Sequence, residues 1–129
     1  MTSRFVVDAS AWIEYLQNSE KGEKISKILE NKENKLICPC TVLSEVISKF
    51  LKMNKDVAIA KECLKTLSVL IPINEGISAL AGQIHFEEKK KNKDFGMLDA
   101  FVVAAAKKLN AKILTGDNDF KHFKEAVIF

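Results

Sequence analysis

The sequence predicts a single α/β domain: a five-stranded, mostly parallel sheet with helices on both faces, in three layers. Short apolar runs alternate along the chain with segments whose apolar residues recur at helical spacing. The runs are continuous rather than alternating, as strands buried on both faces require. The first run, Phe5-Val6-Val7, stops at the carboxylate of Asp8 and gives way to the helical Ala11-Trp12-Ile13-Glu14-Tyr15-Leu16. Strand, tight turn and helix start place Asp8 at the carboxyl end of a central strand, where open α/β sheets hold their ligands.

Each element follows from a local signal. Ser10 stands where an N-cap would stand before the first helix. Glu20 to Asn31 carries Ile25, Ile28 and Leu29 at helical spacing among charges, an amphipathic helix. Leu36-Ile37-Cys38, ended by Pro39, reads as the second strand. Thr41 is placed to cap a helix carrying Val42, Leu43, Val46, Ile47, Phe50 and Leu51, which ends near Asn54. Asp56 opens the next helix. Val69 to Ile73 is a third strand, and Pro72 puts it at an edge or ends it there. Residues 75–91 form an amphipathic helix, 92–96 a loop, and Met97 to Leu109 a strongly apolar helix. Lys112 to Thr115 and Ala126 to Phe129 supply the last two strands. Such alternation implies right-handed crossovers and a sheet covered on both sides. The stretch from about 52 to 93 carries no recognisable motif.

The bulk numbers narrow the class. At 129 residues, 47% hydrophobic and 29% charged, the chain can bury one core and is too apolar for disorder. No apolar run reaches membrane-spanning length, and Met1-Thr2-Ser3-Arg4 runs into a strand without a signal-peptide pattern, so a cytoplasmic protein with no membrane partner is expected. Three cysteines, with Cys38-Pro39-Cys40 lacking the two-residue spacer of a zinc knuckle or redox pair, are expected as buried or semi-buried free thiols. A net charge of +3, nearly all of the basic residues being lysine, is compatible with a polyanionic partner.

The chemistry rests on four acids, each with a bland reading beside the functional one. Asp8 is a turn residue or a ligand at the sheet edge. Asp99 is the one polar side chain in Met97 to Ala106, and either serves the start of its helix or belongs to a site. Glu45 sits at the margin of an apolar stripe, where Lys49 at i+4 offers a simple ion pair. In Leu114-Thr115-Gly116-Asp117-Asn118-Asp119-Phe120, Asp117 or Asp119 caps a short helix, or Asp117 lies at the carboxyl edge as Asp8 does. Four carboxylates converging on one rim would repel unless cations neutralised them, and all-oxygen ligation selects Mg²⁺ or Mn²⁺. His85 and His122 are too few and too scattered for zinc. Carboxylate-held magnesium is chemistry for phosphoryl transfer.

In order and spacing, Val7-Asp8-Ala9-Ser10, Glu45 in Val42-Leu43-Ser44-Glu45-Val46, Asp99-Ala100-Phe101-Val102-Val103-Ala104-Ala105 and Leu114 to Phe120 resemble the PIN domain, and within it the VapC-type toxin ribonucleases. The resemblance covers essentially the whole chain. It implies a sheet with the acids at its carboxyl edge: Asp8, Glu45, Asp99 and Asp117 as catalytic metal ligands, Asp119 as an accessory acid, Ser10 and Thr115 as hydrogen-bonding supports. It further implies Mg²⁺- or Mn²⁺-dependent hydrolysis of RNA by an activated water, a homodimer, and a small antitoxin partner in a groove for which Trp12, Tyr15 and Leu16 are candidates; core packing is the other reading of these side chains. Lys89, Lys90, Lys91 and Lys93 are candidate RNA contacts or simply a solvated helix end. Two other readings compete. One is a PIN-like binding module without catalysis. The other is a small-molecule phosphohydrolase of the haloacid-dehalogenase kind, which would need an acid where Ser10 stands.

Overall fold

A computed structural model describes residues 2–129. The chain runs β1 (Ser3–Val7), α1 (Ala9–Leu16), α2 (Glu20–Leu29), β2 (Asn34–Pro39), α3 (Cys40–Lys52) and α4 (Val57–Leu67). It continues through β3 (Val69–Ile71), α5 (Glu75–Lys89), α6 (Met97–Leu109), β4 (Lys112–Thr115), a 3₁₀ turn (Asn118–Phe120) and β5 (Ala126–Ile128). The strands lie in the order β3-β2-β1-β4-β5, and every neighbouring pair is parallel. Consecutive residues Val6 and Val7, Ile37 and Cys38, and Ile113 and Leu114 are all buried, so both faces of the central strands are covered. The expected architecture holds, with β1 central and β3, just before Pro72, at one edge. Among the described residues no helix is long and apolar enough to cross a membrane.

Strand order reverses at β1: the chain leaves it towards β2 and later returns to its other side as β4. That switch opens a crevice at the carboxyl ends of β1 and β4. Helix α6 packs on β1, β2 and β4, and its Val102 to Ala106 are fully buried. The small side chains Ala104, Ala105 and Ala106 let it lie close, which brings its first turn to the crevice.

Several boundaries move. Asp8, not Ser10, occupies the N-cap of α1, and Ser10 lies inside the first turn. Helix α3 begins at Cys40, so Thr41 is helical and its buried hydroxyl finds no partner. In both cases the strand leads almost directly into the helix: only Asp8 separates β1 from α1, Pro39 at the end of β2 stands at the N-cap of α3, and neither caps through its side chain. Where a loop intervenes, Ser19, Asp56 and Asn74 cap α2, α4 and α5 through their side chains. Helix α5 stops at Lys89, short of residue 91. Cys38 is buried and its thiol pushed up to about 12, chiefly by burial; Cys63 is half-buried, but Cys40 is exposed, unlike the expectation for all three. Among the described residues the three left-handed ones are all asparagines, Asn18, Asn54 and Asn110, ending α1, α3 and α6.

Two glycines give a test of this packing with opposite signs. A Cβ on Gly22 would lie 2.4 Å from the Glu14 carbonyl oxygen, whereas one on Gly82, inside α5, meets nothing within 4 Å. Gly22→Ala is expected to cost about 1–3 kcal/mol, and Gly82→Ala to add about 0.5–1 kcal/mol, both read by thermal denaturation.

Candidate active site

The site grows from Asp8, which is only 6% exposed although it carries a carboxylate. Its amide donates to the Leu114 carbonyl at 2.9 Å, extending the β1–β4 ladder by one step. Its Oδ2 accepts from Thr115 Oγ1 at 2.9 Å and from Ser10 Oγ at 3.1 Å. Those hydroxyls in turn accept from the loop after β4: Ser10 from the Gly116 amide at 3.0 Å, Thr115 from the Asp117 amide at 3.1 Å. Amide to hydroxyl to carboxylate is thus one directed relay, repeated twice. It locks the end of β1, the start of α1 and the β4 loop around one oxygen of Asp8. Gly116 completes the join, because a Cβ there would lie 2.7 Å from the Phe129 ring that covers it.

Three further elements bring acids towards this crevice. Asp99, in the first turn of α6, accepts from the Gly96 amide at 2.9 Å, so it serves the helix start. Glu45, in α3, is half-buried and pairs with Lys49 at 3.6 Å. Asp117 caps the 3₁₀ turn by accepting from the Asp119 amide at 2.8 Å. Every bland role is therefore filled, yet the acids also act on one another. Burial first, then the charges of Asp8 and Asp99, hold the Glu45 carboxyl above its ordinary range, against the Lys49 ammonium. Asp99 is likewise raised, first by burial and then by Asp8, Asp117 and Asp119, against the Gly96 amide. Asp8 is raised by burial, which outweighs its two hydroxyl donors and the more distant Lys49. Asp99 is the acid that feels Asp8, Asp117 and Asp119 and acts in turn on Glu45, and Lys49 is the cation that Asp8 and Glu45 share. The spacing of Lys49 from Glu45 was visible in the sequence; its reach to Asp8 was not.

The donor set is all oxygen, which fits a hard divalent cation. Among the described residues, however, no three His, Cys, Asp or Glu side chains stand close enough to grip one ion as placed.

Of the candidate lysines, Lys90 pairs with Glu87 at 3.3 Å and covers the Phe86 ring, and Lys89 donates to the Lys93 carbonyl. Trp12 is fully buried and belongs to the core, which removes it from any groove surface. Tyr15 and Leu16 stay half-buried and line a hollow between α1 and α2, where Tyr15 donates to Glu30 at 2.6 Å. One pair had no sequence signal: buried Glu88 meets His122 at 2.7 Å, tying the end of α5 to the segment after the 3₁₀ turn. Phe95, Phe120 and Phe123 pack beneath that joint with ring centroids 6.1–6.5 Å apart.

Because its folded-state carboxyl is raised, Asp8 favours folding when protonated and disfavours it when charged. Its contribution is therefore present below the ordinary carboxylate range and is lost as pH rises through the raised value. Asp8→Asn is expected to raise the Tm of ion-free protein by a few degrees, about 1 kcal/mol, near pH 7.5. The difference from wild type should shrink towards zero as pH falls to about 4, a trend that scanning calorimetry across pH can check.

The family model described as the PIN domain matches residues 5–126. No curated protein sequence matches the chain. Among solved structures, the Mycobacterium tuberculosis toxin VapC20, a sarcin-ricin loop cleaving toxin, superposes with a TM-score of 0.77 at 16% identity, covering 95% of this chain and 96% of its own. VapBC-1 from nontypeable Haemophilus influenzae gives 0.73 at 21% identity, with 97% of both chains covered. A toxin-antitoxin complex from Klebsiella pneumoniae gives 0.74 at 19% identity, covering 97% and 95%. At such identities the structural likeness is one of fold; with the family model spanning nearly the whole length, the chain belongs to the PIN-domain family.

Proposed function

We propose that this protein is a divalent-metal-dependent endoribonuclease and the toxin of a toxin–antitoxin pair. The observation that carries the reading is the acidic crevice, where the deeply buried Asp8 acts on Glu45 and Asp99, Asp99 also feels Asp117 and Asp119, and Lys49 faces Asp8 and Glu45. Membership of the PIN family supports nuclease chemistry. Asp8, Glu45, Asp99 and Asp117 would hold Mg²⁺ or Mn²⁺, with Asp119 as an accessory acid. The ion, when bound, would neutralise the carboxylates, activate water against a phosphodiester and stabilise the departing oxygen.

The chain's own residues do the rest. Ser10 and Thr115 spend both their protons on Oδ2 of Asp8, so that carboxylate cannot rotate and meets a cation already oriented. Asp99 is steadied through the Gly96 amide and Asp117 through the Asp119 amide. Lys49 lowers the cost of gathering the acids before an ion arrives. Glu88 and His122 hold the segment that follows Asp117 and Asp119 against α5.

An antitoxin is supported by neighbours of the same fold described as toxin-antitoxin complexes. The hollow between α1 and α2, with Tyr15 and Leu16 at its wall, is where we place it. A homodimer acting in the cytoplasm completes the reading.

Cleavage of a mixed RNA pool tests it. Wild type should cut with Mg²⁺ or Mn²⁺ and not with EDTA, and Asp8→Asn should lose at least about a hundredfold in rate. Thr115→Val keeps the shape and removes the hydroxyl, and should weaken ion affinity by about tenfold to a hundredfold, read by calorimetric titration. A folded wild type that neither cuts nor takes up either ion would instead be a PIN-like binding module.

A further inference from the structure

We propose that the amino edge of the sheet is a second nucleic-acid contact, gripping RNA phosphates at the end of the molecule opposite the acids. The choice of RNA over other polyanions rests on the ribonuclease reading; the basic trough itself does not.

Since every strand pairing is parallel, all strands begin at one edge. There Arg4 of β1 is the register partner of Lys35 of β2, and Lys112 of β4 partners the adjoining Phe5. Three cations thus come from three adjacent strands about 5 Å apart, with Lys112 on the Phe5 side, its ammonium 5.9 Å from that ring. With Thr2, Ser3 and Asn110 they line one hollow of about 620 Å³. Among the described residues no carboxylate lines this hollow, and none of the three cations is in an ion pair. The Arg4 guanidinium is anchored by donating to the Leu109 carbonyl at 3.3 Å, and left-handed Asn110 turns the chain from α6 into β4 beside it.

The hollow continues on both sides. One neighbour, of about 370 Å³, shares Thr2 and Lys35 and adds Lys32. The other, of about 540 Å³, shares Asn110 and Lys112 and adds Lys124 and Lys107, the latter paired with Glu125 at 3.1 Å. The result is a trough along the edge with cations recurring strand by strand. Glu33 and Glu125 lie in the flanking hollows, and in the central one the unpaired Arg4, Lys35 and Lys112, interspersed with hydroxyl and amide donors, suit a chain of phosphates. No aromatic side chain lines any of the three hollows, so the contact addresses the backbone and not the bases. A strand's length, about 16 Å, separates the trough from the acids. An RNA reaching both edges is therefore held at one while it is cut at the other.

The test measures binding without cleavage. In an Asp8→Asn background with EDTA, affinity for a fluorescent RNA is read by anisotropy across a salt series, with and without Lys35→Gln and Lys112→Gln. The double change leaves the Arg4–Leu109 bond in place, and both lysines are exposed, so folding is checked simply by circular dichroism. The expected result is about a tenfold loss of affinity and a salt slope shallower by about 1.4, from 0.7 per cation removed. Replacing both lysines with Glu should lose more. With Asp8 intact, cleavage of a short oligonucleotide should be unchanged by the Gln pair. Undiminished affinity and slope would overturn the proposal. So would RNA binding that is insensitive to the changes while binding to phosphatidylserine vesicles is lost. Should Asp8-intact protein cut nothing while the Gln pair still loses binding, the nuclease reading fails and the trough stands.

Discussion

The structure depends on how one buried carboxylate is accommodated. Asp8 sits where β1 ends and α1 begins, and burial there is expensive for a charge. The cost is offset in part by two hydroxyls on Oδ2, each fed by an amide from the loop after β4. This arrangement does structural work and site work at once. It extends the β1–β4 ladder, closes the topological switch and fixes the direction in which the carboxylate faces. Burial still holds the Asp8 carboxyl above its ordinary range, and the two hydroxyls act against it.

Around that centre, each acid has an ordinary structural duty as well. Asp99 serves a helix start, Asp117 caps a turn and Glu45 pairs one helical turn along. Such duties explain why acids can be collected in one crevice without undoing the fold: each is partly satisfied by a local amide or ammonium. They remain incompletely satisfied, which is why Glu45 and Asp99 still feel their neighbours' charges. A parallel sheet then imposes polarity on the whole molecule. Helix starts and strand ends gather at the carboxyl edge, and strand starts gather at the other, where Arg4, Lys35 and Lys112 lie in adjacent strands. The acidic and basic edges are consequences of one topology.

Much of this was legible in the sequence because it is local. Continuous apolar runs and helical spacing mark every strand and helix, since burial on one or two faces leaves a periodic trace. The positions of Asp8 and Asp117 after strands, and of Asp99 at a helix start, follow from the same trace. Helix starts were misread at Ser10 and Thr41 because capping preference describes a helix entered from a loop, and α1 and α3 are entered from strands. Trp12 offered no sign of which way it faced, and it faces the core.

By itself the sequence determined the order of elements, the sheet-edge location of the acids and the family resemblance, because each is written in residues close together along the chain. Only the tertiary structure decided which groups meet. Thr115 reaches Asp8 across 107 positions, His122 meets Glu88 across 34, and Lys35 comes beside Arg4 through strand register. No periodicity encodes those distances. They follow from closing the sheet at β1, where packing rather than local preference selects the partners.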